Sequence, residues 1–403
     1  MRLLLAIVII AVIALIGTRV TFLNRRLPIG FRNFLLTGVE YIFIGAILGS
    51  MGIDLIDAKS LIALKPFLLF GLTWVGFLYG LQFEIRLLRD LPRFYFSITA
   101  IQSTITFIVI TISTFFILRY LLDISLPQIV LASSVLGCIG SCSAQSAIAI
   151  VSQNYRFENK GLIDLIRYIS SVDGMFALTF FSLALFILPD QNHTEINILS
   201  SLKWLLITIA LGGLPALILV ILSKSKFTQA EFLVFLIGTV MFSGGLAYQT
   251  EHPPLISGLI CGVITANFCR HRVRALSVAV TAEKSIYIFL LIIIGAGWKF
   301  EFNNSVWIAI GYWSFRTLGK LLGNFLATRS FQPSYPVPET IGLGLLSEGG
   351  LAIAIILSFQ LLHEAIADYL ITVIILSVVA NEMISPRLIL AQFSNVKRIA
   401  LKK

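Results

Sequence analysis

Charge is what this sequence has least of. Only 12% of its 403 residues are Asp, Glu, Lys or Arg, while 58% are hydrophobic. A soluble domain usually carries about 25% charged residues. A soluble globule could not hide so much apolar surface, and a disordered chain would not contain it. Histidine and cysteine are scarce, at 4 residues each. Cys138, Cys142, Cys261 and Cys269 form no CxxC pair and complete no zinc-type ligand spacing, so buried free thiols are the expectation. There is no GxxxxGK[ST] loop and no room for a soluble nucleotide-binding domain, which argues against ATP-driven transport. No cofactor motif is present, and no catalytic pair can be identified. The formal net charge of +10 raises nucleic-acid binding. No basic fold module supports it, and no nucleic-acid partner is expected.

What the sequence has is long apolar runs. Its mean hydropathy is +0.95. Apolar spans read near 3–18, 34–53, 61–82, 94–118, 127–152, 161–189, 203–222, 230–248, 253–268, 277–297, 305–327, 339–361 and 366–389. At about 20 residues each, thirteen helices use about 260 residues and leave short loops. The runs are continuous rather than alternating, which excludes a β-barrel. The expected fold is an all-α polytopic membrane protein with about 13 transmembrane helices. Arg2 precedes the first span as in a signal peptide. Leu15-Ile16-Gly17 lacks the small-x-small cleavage pattern, so the span is expected to be retained.

Lys and Arg set the expected orientation. They concentrate in the odd loops: Arg19, Arg25, Arg26 and Arg32, then Arg86, Arg89 and Arg93, Arg156 and Lys160, Lys224 and Lys226, and Arg270, Arg272 and Arg274. The tail adds Lys397, Arg398, Lys402 and Lys403. Loops eight and twelve have none. Cytoplasmic loops carry the basic excess, so the N-terminus is expected outside and the C-terminus inside.

Two spans are interrupted. Span 5 contains Gly137-Cys138-Ile139-Gly140-Ser141-Cys142-Ser143-Ala144-Gln145-Ser146, and span 12 contains Gly342-Leu343-Gly344 followed by Ser347-Glu348-Gly349-Gly350. With span 7 as a connector, each break falls in the fifth span of a six-span half. The halves have opposite topology. Inverted repeats with discontinuous helices at the site are the pattern of a secondary transporter. Ordinary glycine-rich helix packing is the blander alternative.

Ionisable residues deep in a span are costly and usually functional. Asp173 lies midway along span 6, Arg316 and Lys320 share one face of span 11, and Glu348 stands in the second break. A desolvated carboxylate can carry a proton or a small hard cation, and competition between them couples the two. Ser141, Ser143 and freed carbonyls of the first break are candidate oxygen ligands beside Asp173, and Ser170, one turn before it, joins them. Asp173 is thus the expected monovalent-cation site. A structural ion pair of Asp173 with Lys320 or Arg316 is the bland reading. Arg316, which stays charged, suits a fixed pair. Arg167 is expected to snorkel, Glu40 to be an end charge, and the four His to be solvated in loops.

These residues carry a resemblance. The stretch Gly38–Gly49 resembles the "GyxxxGxxxG" helix of the monovalent cation–proton antiporter superfamily, Kef/NapA-like branch. Phe77–Glu84 resembles its "F-x-x-G-L-E" helix end, and Ser141–Ser146 its first unwound crossing helix. Asp173 matches its ion-binding Asp, Gly319–Gly323 its "G-K-x-x-G" helix, and Leu343–Gly350 its second crossing helix. The resemblance implies two discontinuous crossing helices, a core that moves like an elevator, and a scaffold that dimerises into a homodimer. It divides the chain into scaffold helices at 1–93, core helices at 94–189, a connecting helix at 190–222, scaffold helices at 223–297, and core helices with a basic tail at 298–403. Three departures stand out. Val172 replaces the usual Asp or Asn, Gln82 replaces a Glu, and Glu348 replaces an acid expected two or three residues later. Lys320 therefore lacks its usual partner, and Glu348 is expected to hold Lys320 or Arg316.

The resulting expectation is exchange of Na+ or K+ for protons across the bilayer, with no enzymatic activity. The alternatives are sodium-coupled symport of a small organic anion, with Arg316 reading a carboxylate, and a transport-deficient sensor of the same fold. Compactness and the resemblance place it in a bacterial inner membrane, with no regulatory domain expected after span 13.

Overall fold

The computed structural model describes residues 8–10, 12–13, 38–90, 93–157, 160–187, 198–224, 228–300, 304–331, 337–394 and 399–401. Most of the first span, the Arg-rich first loop, His193 and the basic tail lie outside these residues. Each later span forms a helix or a helix with a break. In chain order they are α1 (Glu40–Leu48), α2 (Ala58–Leu81), the short α3 (Ile85–Asp90), α4 (Arg93–Leu121), α5 (Leu126–Ser141) and α6 (Ser146–Asn154). Then come α7 (Lys160–Ile187), α8 (Ile198–Leu222), α9 (Gln229–Gln249), α10 (Pro254–Phe268), α11 (Arg272–Gly297) and α12 (Asn304–Phe331). A 3-10 turn at Ile341–Leu345, α13 (Gly350–Gln360) and α14 (Glu364–Ser394) complete the series. Among the described residues one small antiparallel pair joins Tyr155–Phe157 to Ile399–Leu401, a local addition to the helices.

Seven of these helices, α2, α4, α7, α8, α9, α11 and α14, are long and apolar enough to cross a bilayer. Helix α12 has the length, at 28 residues, but carries Arg316 and Lys320 at its middle. Local chemistry sets several starts. Asp57 caps α2 by accepting the Ser60 N–H at 2.8 Å. Thr228 and Glu231 close a capping box on α9, satisfying donors that would otherwise be orphaned.

Lipid gives helices no hydrophobic reason to associate, so close backbone packing must serve. Helix α2 lies directly against α10: Gly76 meets the Leu255 carbonyl and Gly258 meets the Thr73 carbonyl, with no space for a Cβ at either. Helices α8 and α9 pack on this pair, and α11 packs on both α1 and α2. A second set gathers around α4, which packs against α5, α7 and α12, while α14 packs against α12, α13 and α6. The outer faces are apolar, with Ile108, Ile112 and Phe116 exposed on one side of α4 and Leu199, Leu202 and Leu206 exposed on α8. Bilayer contact requires such faces.

Candidate ion-binding site

Each of the two breaks leaves backbone groups without helical partners. Helix α5 stops at Ser141, where Cys142 turns extended with φ −82° and ψ 158°. In the second interruption Gly349 is extended ahead of α13. Unpaired backbone groups inside a membrane cost several kcal/mol each unless protein partners are found. Here they are found. Lys320 Nζ donates to the Ser141 carbonyl at 2.6 Å, and Arg316 donates to the carbonyls of Cys142 at 3.0 Å and Leu346 at 2.7 Å. The Ala144 N–H donates to the Ser347 carbonyl at 2.9 Å, so the breaks touch.

Asp173 sits at this junction with no exposed surface. Its Oδ1 accepts the Ser143 N–H at 3.0 Å. Its Oδ2 accepts the Ser143 hydroxyl at 2.6 Å and faces Lys320 Nζ at 3.3 Å. Ser143 Oγ also accepts from Lys320 at 2.8 Å, so serine, lysine and aspartate close a triangle. Three oxygens thus surround Lys320 Nζ: Asp173 Oδ2, Ser143 Oγ and the Ser141 carbonyl. Oxygen donors of this kind suit hard cations.

The neighbouring ion pair is separate. Glu348 Oε1 lies 3.1 Å from Arg316 Nε, but that N–H is not aimed for a hydrogen bond, so the attraction is between charges. Glu348 instead accepts hydrogen bonds from Tyr312 at 2.7 Å, Ser377 at 2.6 Å and Asn381 at 3.0 Å. Of the two partners expected for Glu348, the structure chooses Arg316. Lys320 goes to Asp173, because their helices bring them together at the first break.

Two expected ligands are placed differently. The Ser141 hydroxyl turns back to the Cys138 carbonyl at 2.8 Å, so only its carbonyl faces Lys320. The Ser170 hydroxyl donates to the Arg167 carbonyl at 3.1 Å, along its own helix. Arg167 is exposed and lies 3.8 Å from Asp164. Glu40 is half-buried, with one oxygen lacking a hydrogen-bond partner. His252 and His363 were expected in solvent but are buried at 6% and 4% exposure, stacked on Trp204 and Phe359. All four cysteines are free and buried.

Sequence reading overlooked Glu382. It is fully buried on α14 and accepts the Ser347 hydroxyl at 2.6 Å. The signal was there, an acid within span 13. The apolar run of span 13 ends near 389, whereas α14 runs to Ser394, which places Glu382 deeper.

The fold is that of a polytopic helical membrane protein in which two interrupted helices meet around buried charges. The family of transmembrane sodium/hydrogen exchangers matches residues 8–389, and the chain belongs to that family. Its members are transporters rather than enzymes. The fold is similar to that of MjNhaP1, the sodium proton antiporter from Methanocaldococcus jannaschii, whose structure was solved at pH 8. The TM-score is 0.65 at 17% identity, with 97% of this chain and 100% of that one covered. No curated protein matches the chain.

Proposed function

We propose that this protein exchanges a monovalent cation, Na+ or K+, for protons at Asp173. The observation that carries the reading is the Asp173 carboxylate at the first break, held by Ser143 and facing Lys320 at 3.3 Å. This is the longest of the contacts made by the carboxylate and by Lys320 Nζ at this junction. An arriving cation would take the place of the ammonium beside Oδ2. A proton on the carboxylate would remove the charge that holds either of them. Cation and proton therefore exclude one another at one group, and that exclusion is sufficient for coupling.

Asp173 lies between the two sets of helices, since the adjacent Gly174 packs against the Tyr79 ring of α2 and Gly350 against the Tyr287 ring of α11. We read α4–α7 with α12–α14 as the moving core, and α1, α2 and α9–α11 as the scaffold through which a homodimer forms. Helix α8 connects the halves. The core carries the ion past the scaffold like an elevator. With each interrupted helix counted as one crossing, we read thirteen spans in two inverted halves, N-terminus outside and C-terminus inside, in a bacterial inner membrane. Symport of an organic anion fits less well. Arg316 is fully buried, its Nη1 and Nη2 donate to the Leu346 and Cys142 carbonyls, and Glu348 lies beside its Nε, so its charge is already matched within the protein.

The test is dissipation of a pH gradient in proteoliposomes on addition of Na+, Li+, K+ or choline chloride. Exchange by wild type with one of the metal cations, and its loss in Asp173→Asn, is the expected result. No response to any cation from pH 6 to 9 would overturn the reading.

A further inference from the structure

The second break is built like the first. At the first, the Ser143 hydroxyl donates to Asp173 on the next long helix at 2.6 Å, 30 residues on. At the second, the Ser347 hydroxyl donates to Glu382 on the next long helix, α14, at 2.6 Å, 35 residues on. Both carboxylates are fully buried. An inverted repeat produces such matching. The two arrangements are also joined. The Ala144 N–H, next to Ser143, donates to the carbonyl of Ser347 at 2.9 Å. A continuous path therefore runs from Glu382 through Ser347, Ala144 and Ser143 to Asp173.

Glu348 does not do this work. Its oxygens are occupied by Tyr312, Ser377 and Asn381, with Arg316 alongside. Ser347 reaches past it to Glu382. An intramembrane carboxylate is costly to keep, and a short bond from a hydroxyl to a charged oxygen is among the stronger hydrogen bonds.

We propose that Glu382 is a positioning residue for cation–proton exchange. By holding Ser347 it fixes the second break where the Ser347 carbonyl supports Ala144, and so presents Ser143 to Asp173. The inference rests on Asp173 being the exchange site. What it requires at residue 382 is an acceptor oxygen, which Gln keeps and Ala lacks.

The full-length protein is reconstituted as wild type, Glu382→Ala and Glu382→Gln. Gradient dissipation is measured against the concentration of the cation that wild type exchanges. Hydrogen exchange is followed in a peptide covering residues 142–149. Glu382→Ala should raise the KM for the cation about tenfold, the scale of one buried hydrogen bond, with the maximal rate within about threefold. It should also speed exchange at Ala144. Glu382→Gln should return both towards wild type. If Glu382→Ala does not fold, Ser347→Ala removes the same link and should show the same rise in KM. An unchanged KM with less folded protein would mean a merely structural role and overturn the proposal. Equal damage from Gln and Ala would overturn it too, since the charge would then matter rather than the acceptor. Should wild type exchange no cation, the exchange reading fails by itself, and the hydrogen-exchange comparison still decides whether Glu382 holds Ala144.

Discussion

Asp173→Asn should remove the exchange group and also leave a buried charge without its partner. Asn can keep one role, since its carbonyl can accept the Ser143 N–H as Oδ1 does now at 3.0 Å. The amide that replaces Oδ2 can only donate. It then meets two other donors, the Ser143 hydroxyl and the Lys320 ammonium. Lys320 keeps the Ser141 carbonyl at 2.6 Å and Ser143 Oγ at 2.8 Å, both neutral. Removing one member of a buried pair costs about 3–5 kcal/mol. The two hydrogen bonds that remain put this variant at the low end, about 3 kcal/mol. Adding Lys320→Met removes the unpaired charge but leaves the Ser141 carbonyl without its side-chain donor, a smaller cost. The double variant should therefore recover part of the loss, about 1 kcal/mol. Thermal unfolding in detergent measures this, and proteoliposome assays should show both variants inactive. The reasoning fails if Asp173→Asn unfolds with wild type, if Lys320→Met makes it worse, or if the Asn variant still exchanges.

Other consequences can be checked in the same preparations. Glu348→Gln leaves Arg316 without its counter-charge and turns an amide donor either towards the Tyr312 hydroxyl or towards the Ser377 and Asn381 donors. It should destabilise the fold by about 3 kcal/mol in thermal unfolding, or shift the pH profile of exchange. Gly258→Ala forces a methyl group into the Thr73 carbonyl and should cost about 1–3 kcal/mol by the same measurement. Gly238→Ala on α9, with open space at its Cβ, should be neutral or stabilising by up to about 1 kcal/mol. Burial in the loop between α13 and α14 lowers the His363 pKa from 6.5 to about 4. The folded chain therefore resists a proton that the unfolded chain accepts. Stability is complete above pH 6.5, and up to roughly 3 kcal/mol is lost as pH falls from 6.5 towards 4. His363→Gln should flatten the acid side of a plot of unfolding temperature against pH over that interval.

Much of this was legible in the sequence because lipid is a strict solvent. Twenty apolar residues have few ways to cross it, so most of the spans from the third on reappear as helices within a few residues, while span 2 is described only as the short helix Glu40–Leu48 and span 12 as a 3-10 turn followed by Gly350–Gln360. Glycine and serine inside an apolar run marked both breaks, and expensive charges marked Asp173, Arg316, Lys320 and Glu348. The partners were not legible. Whether Lys320 meets Asp173 or Glu348 depends on the rotation of α12 and on where the unwound backbone passes, which no periodicity encodes. Side-chain direction was hidden as well. Ser141 and Ser170 bond back to their own helices, an option open to any serine in a helix. Nothing in the sequence separates a solvated loop histidine from one folded under a neighbouring ring, as His252 and His363 are.

The breaks also bear on how the chain is made. The carbonyls of Ser141 and Cys142 take their side-chain donors from Lys320 and Arg316, which come 179 and 174 residues later. At about 5–20 residues per second, a ribosome needs roughly nine to thirty-six seconds to supply them. During that interval an unwound segment in lipid would carry bare carbonyls at several kcal/mol each. The nascent first half must therefore stay helical through this stretch, or keep it beside water, until α12 arrives. The first interruption comes early in the sequence and late in assembly. The two halves, however alike, are not independent units of folding.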